Sequence, residues 1–219
     1  MTTFPGAPRL IKGGIVLMDP KTGTVLRVIA LQYNPDTLTR TLTAQTATES
    51  GDRSQALRLT AAPVETLKID AVIDAIDQLE FPNDNATATA NGIAPELAAL
   101  EAILYPNSGV VDRNNTLASA GTLEIAPMEA PLSLFVWSEQ RVLPVRFTDF
   151  SIIEEAFDPA LNPIRAKVGL GMRVLGVNDL GFEHRGGTLS MVRHRQIEQL
   201  SNLAPNASLQ ALGLTGIAS

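Results

Sequence analysis

The chain has 219 residues, of which 45% are apolar and 18% charged, a composition that allows one folded domain with a full core. It contains no cysteine, which excludes disulfides, thiolate metal sites and cysteine nucleophiles. The formal net charge of −6 and the pI near 4.9 argue against a nucleic-acid partner, because phosphate binding needs clustered lysine and arginine.

Membrane insertion and secretion are not predicted either. The longest apolar runs, near Val25–Leu31 and Leu132–Trp137, have the length of strands and fall short of the ~20 residues of a membrane helix. The first ten residues lack a basic region followed by an apolar stretch, so we expect no secretory signal. The absence of cysteine is compatible with folding in a reducing cytosol.

The first two predicted strands form a hairpin. Ile11–Met18 is apolar, Asp19–Gly23 has proline and glycine at turn positions, and Thr24–Tyr33 is rich in β-branched residues. The second strand is apolar on both faces, which is typical of a strand that is covered on both sides. We therefore expect one face in the core and the other against a second layer or a neighbouring subunit.

A turn and a polar segment follow. Asn34-Pro35-Asp36 predicts a turn, and the threonine-rich strand Thr37–Thr48 has polar positions that indicate an exposed or edge location. Ala47–Arg58 is polar and contains glycine, so we predict a mobile loop or arm. Glu65–Asp74 alternates apolar and charged residues, which predicts a half-buried strand.

The middle of the chain contains the clearest predicted helix. Phe81–Gly92 is a loop by composition. Pro95–Tyr105 has proline at its start, an acidic residue in its first turn and an apolar stripe, and Pro106–Gly109 predicts its end. Asp112–Ala130 is only weakly patterned.

Strands return in the next segment. Leu132–Trp137 and Gln140–Phe147 predict a second hairpin, and Thr148–Ala156 continues as a strand. Asp158–Pro163 is a tight turn bounded by proline. Ile164–Leu175 has the clearest alternation in the chain.

The second face of that last strand and the C-terminus have unusual composition. Gly169 and Gly171 alternate with basic residues, which predicts a bend or a close backbone approach. Thr188–Leu203 predicts a short polar helix, and Ala204–Ser219 is small, apolar and expected to be weakly ordered. The sequence therefore predicts a mainly β fold, an antiparallel β-barrel or sandwich with one short helix at residues 1–180, and a C-terminal tail at residues 181–219.

Residues for catalysis or metal binding are scarce. His184 and His194 lie in the tail without a companion carboxylate at ligand spacing, and Glu154 and Glu155 point to opposite faces of a strand. No serine lies in a nucleophile elbow and no glycine loop could hold a phosphate. Trp137 is expected in the core. We expect no catalytic residue, no cofactor and no metal, and predict that the chain is not an enzyme.

Two stretches resemble the tube-domain proteins of contractile injection systems, the phage-tail-like particles of bacteria. They are LQYNPDTLTR, starting at Leu31, and RVLPVRFTDFSIIEEAFDPALNPIRAKV, starting at Arg141. In that family an Asn-Pro turn and an FDPxLNPxRA turn recur together, and the resemblance covers residues 8–180. The family pattern often continues into a small LysM module, which we do not find after Leu180.

The resemblance implies a tube-like β fold that assembles in rings of six at the baseplate, where the inner tube meets the spike. It implies as partners other copies of the chain, the spike protein, inner tube or tube-initiator proteins and other baseplate components, with assembly in the bacterial cytoplasm and possible release of the particle. The alternatives are a tube initiator, the inner tube subunit itself, or a β-barrel that binds a small ligand.

Candidate interface residues follow from the two turns and the arm. We expect Tyr33–Leu38 and Phe157–Pro163 to be the structurally decisive turns and Ala47–Arg58 to be an arm between subunits. The candidate inter-subunit residues are Tyr33, Asn34, Pro35, Leu38, Arg40, Asp52, Arg53, Phe157, Asp158, Pro159, Leu161, Asn162 and Pro163.

Overall fold

A computed structural model describes residues 11–46, 58–121 and 130–217. In these ranges seven strands form one sheet with the order β2-β1-β5-β6-β7-β4-β3, and all neighbouring strands are antiparallel. The strands are β1 (Gly14–Met18), β2 (Val25–Ala30), β3 (Thr39–Thr46), β4 (Leu59–Asp74), β5 (Leu132–Ser138), β6 (Arg141–Phe157) and β7 (Pro163–Val174). The predicted mainly β, antiparallel fold is confirmed.

The described residues contain more helix than the one helix predicted for the β domain. The helices are α1 (Ile76–Leu79), α2 (Ala86–Asn91), α3 (Ala94–Glu101), α4 (Ser108–Ser119), α5 (Val177–Leu180) and α6 (Arg185–Asn202), and a 3-10 helix spans Leu209–Leu212. The predicted central helix corresponds to α3, and the predicted C-terminal helix corresponds to α6.

The sequence pattern missed four helices, the short α1 and α5 and the longer α2 and α4. The predicted loop Phe81–Gly92 contains α2, a six-residue helix whose Ala88 is buried, so tertiary contact outweighs a composition rich in threonine and asparagine. The weakly patterned segment Asp112–Ala130 begins within α4. Asn107, in the turn predicted to end the preceding helix, is the N-cap of α4, because its side chain accepts a hydrogen bond from the backbone of Gly109 at 3.0 Å.

The sheet curls into a barrel-like shape. β2 and β4 are five strand spacings apart, about 24 Å across a flat sheet. Yet the side-chain amide of Gln32, just after β2, donates to the carbonyl oxygen of Asp74 at 2.7 Å and accepts from its N–H at 2.8 Å. The segment after β2 and the end of β4 therefore meet through one side chain, and we call this contact the Gln32 clasp.

The core lies on the concave apolar face. Leu67 of β4, Met172 of β7 and Phe135 of β5 are fully buried there, and Leu97 and Leu100 of α3 pack into the same cluster. Burying these side chains is the main source of the fold's stability, at about 25 cal/mol per Å² of apolar area.

The first turn of α6 packs closely on other elements. A Cβ atom at Gly186 would lie 2.5 Å from a methyl group of Leu180 and 3.1 Å from one of Leu132. The glycine therefore lets α6 approach α5 and the start of β5. Among the described residues no helix is both long and apolar enough to span a bilayer.

Candidate interaction surfaces

The β2 strand forms one edge of the sheet and is largely exposed. Val25, Leu26 and Val28 are each more than half exposed, and Val28 reaches 64%. Ile29 is the residue of this strand that packs against the core. The described part of the chain leaves Leu26 and Val28 on the other face uncovered, so the predicted covering of that face by a neighbouring subunit stays a prediction. An exposed apolar edge of this kind is a site for pairing with another chain.

The opposite edge carries a projecting two-stranded ribbon. β4 pairs with β7 from Thr66 to Asp74, whereas residues 59–65 of β4 pair with β3 alone. Leu42 and Leu59, on the two strands of this β3–β4 ribbon, are 52% and 73% exposed. The predicted edge location of β3 is confirmed. The predicted arm, with Asp52 and Arg53, lies outside the described residues except for Arg58.

A cluster of charges lies at the base of the ribbon. Nε of Arg40 donates to Oε1 of Glu65 at 2.6 Å, and Glu65 is only 8% exposed. Arg193 of α6 lies near the same pair, and partial burial, with the charges of Arg141 and Arg40, lowers the pKa of Arg193. Arg40 was a predicted interface residue. Its partners were not predictable from spacing, since they come from three separate segments.

The Asn-Pro turn ties β1 to β2. Oδ1 of Asn34 accepts from the N–H of Gly13 at 2.9 Å, and Nδ2 of Asn34 donates to the carbonyl oxygen of Ile11 at 2.8 Å. Leu38 packs against the core, and Tyr33 is exposed. The structure thus gives Asn34 a role in holding the turn, while contact of Tyr33 and Pro35 with another subunit stays a prediction.

The second turn is held by one carboxylate. The side chain of Asp158 accepts from the N–H groups of Ala160 and Asn162 and from Nδ2 of Asn162, all at 2.8 Å. The bonds from Asn162 are the main reason that the pKa of Asp158 lies below its ordinary value. Leu161 has a positive φ of 65° and is 78% exposed, so the turn presents an apolar side chain at its tip.

The same turn docks on the helical layer. The carbonyl oxygen of Pro163 accepts from the N–H of Ile93 at 2.8 Å, and Nδ2 of Asn162 donates to the carbonyl oxygen of Ala90 at 3.2 Å. Gly92 lies directly against Pro163 with a φ of 58°, so a side chain at that position would collide with the backbone. Phe157 and Pro159, at the start of the turn, are exposed.

The outer face of the central strands is polar. Arg165 of β7 lies 3.5 Å from Asp74 and 3.1 Å from Glu155, and Nζ of Lys167 lies 2.8 Å from Glu155. The hydrogen bond from Lys167 is the main cause of the lowered pKa of Glu155.

The two glycines of β7 make room for polar side chains on this face. A Cβ at Gly171 would lie 2.6 Å from Oδ2 of Asp149, and a Cβ at Gly169 would lie 2.5 Å from Oγ of Ser151. The atoms close to these glycines are side-chain atoms, mainly of β6, so the close backbone approach that was predicted is wrong. The result is a polar outer face over the centre of the sheet.

A groove of about 910 Å³ lies between β2 and the helices α1 and α3. Its apolar lining includes Ile29, Leu31, Ile73, Ile93 and Leu100, and its charged lining is mainly acidic, with Asp74, Asp77, Glu80 and Glu96. Lys12 and Arg27 are its basic lining residues. No sequence pattern pointed to this groove, because its lining comes from segments that the curl of the sheet brings together.

The histidines have local roles. Nδ1 of His184 accepts from the N–H of Gly186 at 3.0 Å and so caps α6. His194 lies 3.6 Å from Glu198, one turn later, which corrects the expectation that no carboxylate stands at such a spacing. In the residues that the structure describes, no group of three or more histidine, aspartate or glutamate side chains is placed to hold a metal ion.

Among the comparisons with known proteins, the comparison with solved structures gives a match. No protein-family model and no curated protein matches the chain. A solved structure described as the tail of an empty GTA particle, computed with helical refinement in C6 symmetry, aligns over 75% of this chain and 91% of that chain. The aligned residues are 12% identical and the TM-score is 0.30. At this level of similarity the alignment supports no inference about function.

Proposed function

We propose that the chain is a structural ring subunit of a contractile, phage-tail-like injection particle, at the join between the inner tube and the spike. The observation that carries the proposal is the pair of dissimilar edges in one sheet. One edge is the exposed apolar strand β2, and the other is β3 with its projecting ribbon. The two turns that resemble the tube-domain family support this class of particle.

Dissimilar edges favour a head-to-tail contact. When the ribbon of one copy pairs with β2 of the next, every subunit uses both of its edges and the contact closes into a ring if the rotation allows it. The contact shields Val28 and Leu26 of one copy and Leu42 of its neighbour, which the isolated chain leaves in water. The ring size of six is the part of the proposal that comes from the family resemblance.

The polar outer face suits the wall of a water-filled channel. Arg165 and Lys167 form ion pairs with Glu155 at the surface of the sheet. Gly169 and Gly171 have no side chains, so nothing projects from the surface at these two positions. In the proposed particle the chain is not an enzyme, and its function is to continue the channel and connect the spike to the tube. Its proposed partners are copies of itself, the spike, tube or tube-initiator proteins and other baseplate proteins, assembled in the bacterial cytoplasm.

The first test is to isolate the tagged chain from its native host, image the eluate by electron microscopy and count copies by mass spectrometry. We expect sheathed rods with about six copies per rod, beside a spike protein. Many copies per rod would move the chain to the tube shaft. A monomer without rods or a spike protein would overturn the assembly proposal.

A pair of substitutions tests the β2 edge. Val28→Lys places a charge on the exposed edge, and we expect it to abolish rods because the lysine cannot be desolvated in the contact. Leu104→Lys is the matched control, since Leu104 is 50% exposed, lies after α3 and belongs to neither edge strand. Equal rod counts for the two variants would contradict a role of β2 in assembly.

The groove favours one other function, binding of a small ligand. Its volume of about 910 Å³ lies within the range of known ligand sites. Native mass spectrometry of the purified monomer distinguishes the two functions. A bound compound of constant mass would favour ligand binding, whereas a bare chain together with rods favours assembly.

A further inference from the structure

The C-terminal segment leaves apolar side chains in water. Every residue from 197 to 217 is exposed, and the exposed apolar residues include Leu203 (78%), Leu212 (69%) and Ile217 (77%). The sequence from residue 199 to residue 219 contains no charged side chain. An uncharged segment with several exposed apolar side chains is stabilised when it is buried against another apolar surface.

The groove beside β2 has complementary chemistry. Its floor is apolar, and its rim carries four carboxylates against two basic residues. An acidic peptide is disfavoured there by repulsion, and a charged one of either sign loses hydration on entering. An uncharged apolar segment meets neither cost, which matches the composition of residues 203–217.

We propose that the groove binds the C-terminal segment of a second copy of this chain. Each copy contributes this groove and this segment, so a head-to-tail contact uses both in equal number. The groove continues from β2, the edge proposed to meet a neighbouring subunit, and the occupant therefore comes from an adjacent copy. The inference depends on the proposed function in one respect, which is that the segment bound in the groove comes from a second copy of the chain.

Because the chain contains no cysteine, introduced cysteines can form disulfides only with each other. One full-length chain carries Gln78→Cys, in the groove, and a second, larger tagged chain carries Leu212→Cys, in the C-terminal segment. After mixing and mild oxidation, we expect a disulfide-linked pair of the two chains at roughly ten times the yield of a control, because binding raises the local thiol concentration. The control replaces Leu212→Cys by Val111→Cys, an exposed position on α4.

A peptide experiment gives a second readout. A fluorescent peptide of residues 203–217 is titrated into the full-length protein, and we expect saturable binding. The same peptide with Leu212→Asp is expected to bind at least about tenfold more weakly, since it loses an apolar contact and brings a carboxylate to an acidic rim.

Each result either supports the inference or overturns it. Cross-linking between chains with saturable peptide binding supports it. A cross-link that forms only within a chain carrying both cysteines shows that the segment folds back, and overturns it. Cross-link yields equal to the control with no peptide binding, or a small molecule occupying the groove, also overturn it. Rods that form without this cross-link would leave the proposed function intact and remove only the groove contact.

Discussion

The two halves of β4 have the same backbone conformation and opposite surroundings. Residues 66–74 pair with β7, residues 66–68 pair with β3 as well, and Leu67, Ile69 and Ala71 are buried. Residues 59–65 pair with β3 alone, and Leu59 is 73% exposed. The inner half is therefore held by the core of its own subunit, whereas the outer half has apolar side chains that the subunit does not bury.

One strand therefore has two roles, folding of its own subunit in the inner half and contact with a neighbour in the outer half. A two-stranded ribbon is only marginally stable in water without a face to pack on. Continuity with the inner half lets the ribbon extend from a rigid base, and its exposed side chains remain available to a neighbour. Substitutions in the two halves should therefore separate folding from assembly.

The largest expected effect is in the inner half. Leu67→Ala creates a cavity at a fully buried position, and we expect the free energy of unfolding to fall by about 2–5 kcal/mol. Leu59→Ala is the matched change in the outer half and should alter stability by less than about 0.5 kcal/mol. Urea denaturation of the monomer measures both. Similar losses for the two variants would show that the ribbon belongs to the folding core.

The junction of the halves gives the next effect. Arg40→Ala leaves the carboxylate of Glu65 nearly buried without its partner, and we expect a loss of about 1–3 kcal/mol, reduced from a fully buried pair because Arg40 is part-exposed. The double variant Arg40→Met with Glu65→Leu removes both charges and should recover most of that loss. A double variant less stable than Arg40→Ala would assign the loss to packing of the arginine stem.

The inner half was predictable and the outer half was not. Apolar and polar residues alternate with a period of two in Glu65–Asp74 because one face packs against the core, and this alternation is visible in the sequence. Residues 59–64 (LTAAPV) lack such alternation, since neither face is buried in the subunit. Sequence patterns report burial, and a strand that is buried only in an assembly does not give the pattern of a core strand.

The candidate surfaces follow the same division. The turns at Asn34 and Asp158 were predictable because the preference of asparagine, aspartate and proline for turns is local. The Gln32 clasp and the groove were not, because they depend on the curl of the whole sheet. The surface that covers β2 could not be identified for a related reason: its apolar composition indicates burial, but it does not tell whether the covering surface belongs to the same chain.

A smaller effect tests what holds the end of the inner half. Gln32→Ala removes the two hydrogen bonds to the backbone of Asp74, and we expect a loss of about 1–2 kcal/mol. Hydrogen exchange should increase at the end of β4 and not in the ribbon, because the clasp is remote from β3. Gln199→Ala, an exposed glutamine on α6, is the control. Faster exchange in both halves would mean that the two halves open as one unit.

The smallest effect concerns the polar face above the inner half. Glu155→Gln breaks the contacts to Lys167 and Arg165, and we expect a slight loss of stability that shrinks in high salt because the group is exposed. The pKa of Glu155 is lowered from 4.5 by Lys167, so its contribution is complete above about pH 4.5 and is lost as the pH falls through the lower, folded value. The difference between wild type and variant should therefore vanish in acid. Glu154→Gln is the matched control, since it removes an equal charge from a neighbouring position that has no ion pair among the described residues. If both variants lose stability in parallel across pH, the loss comes from the change in net charge and not from the contact with Lys167. The stability of the inner half would then come from the core alone.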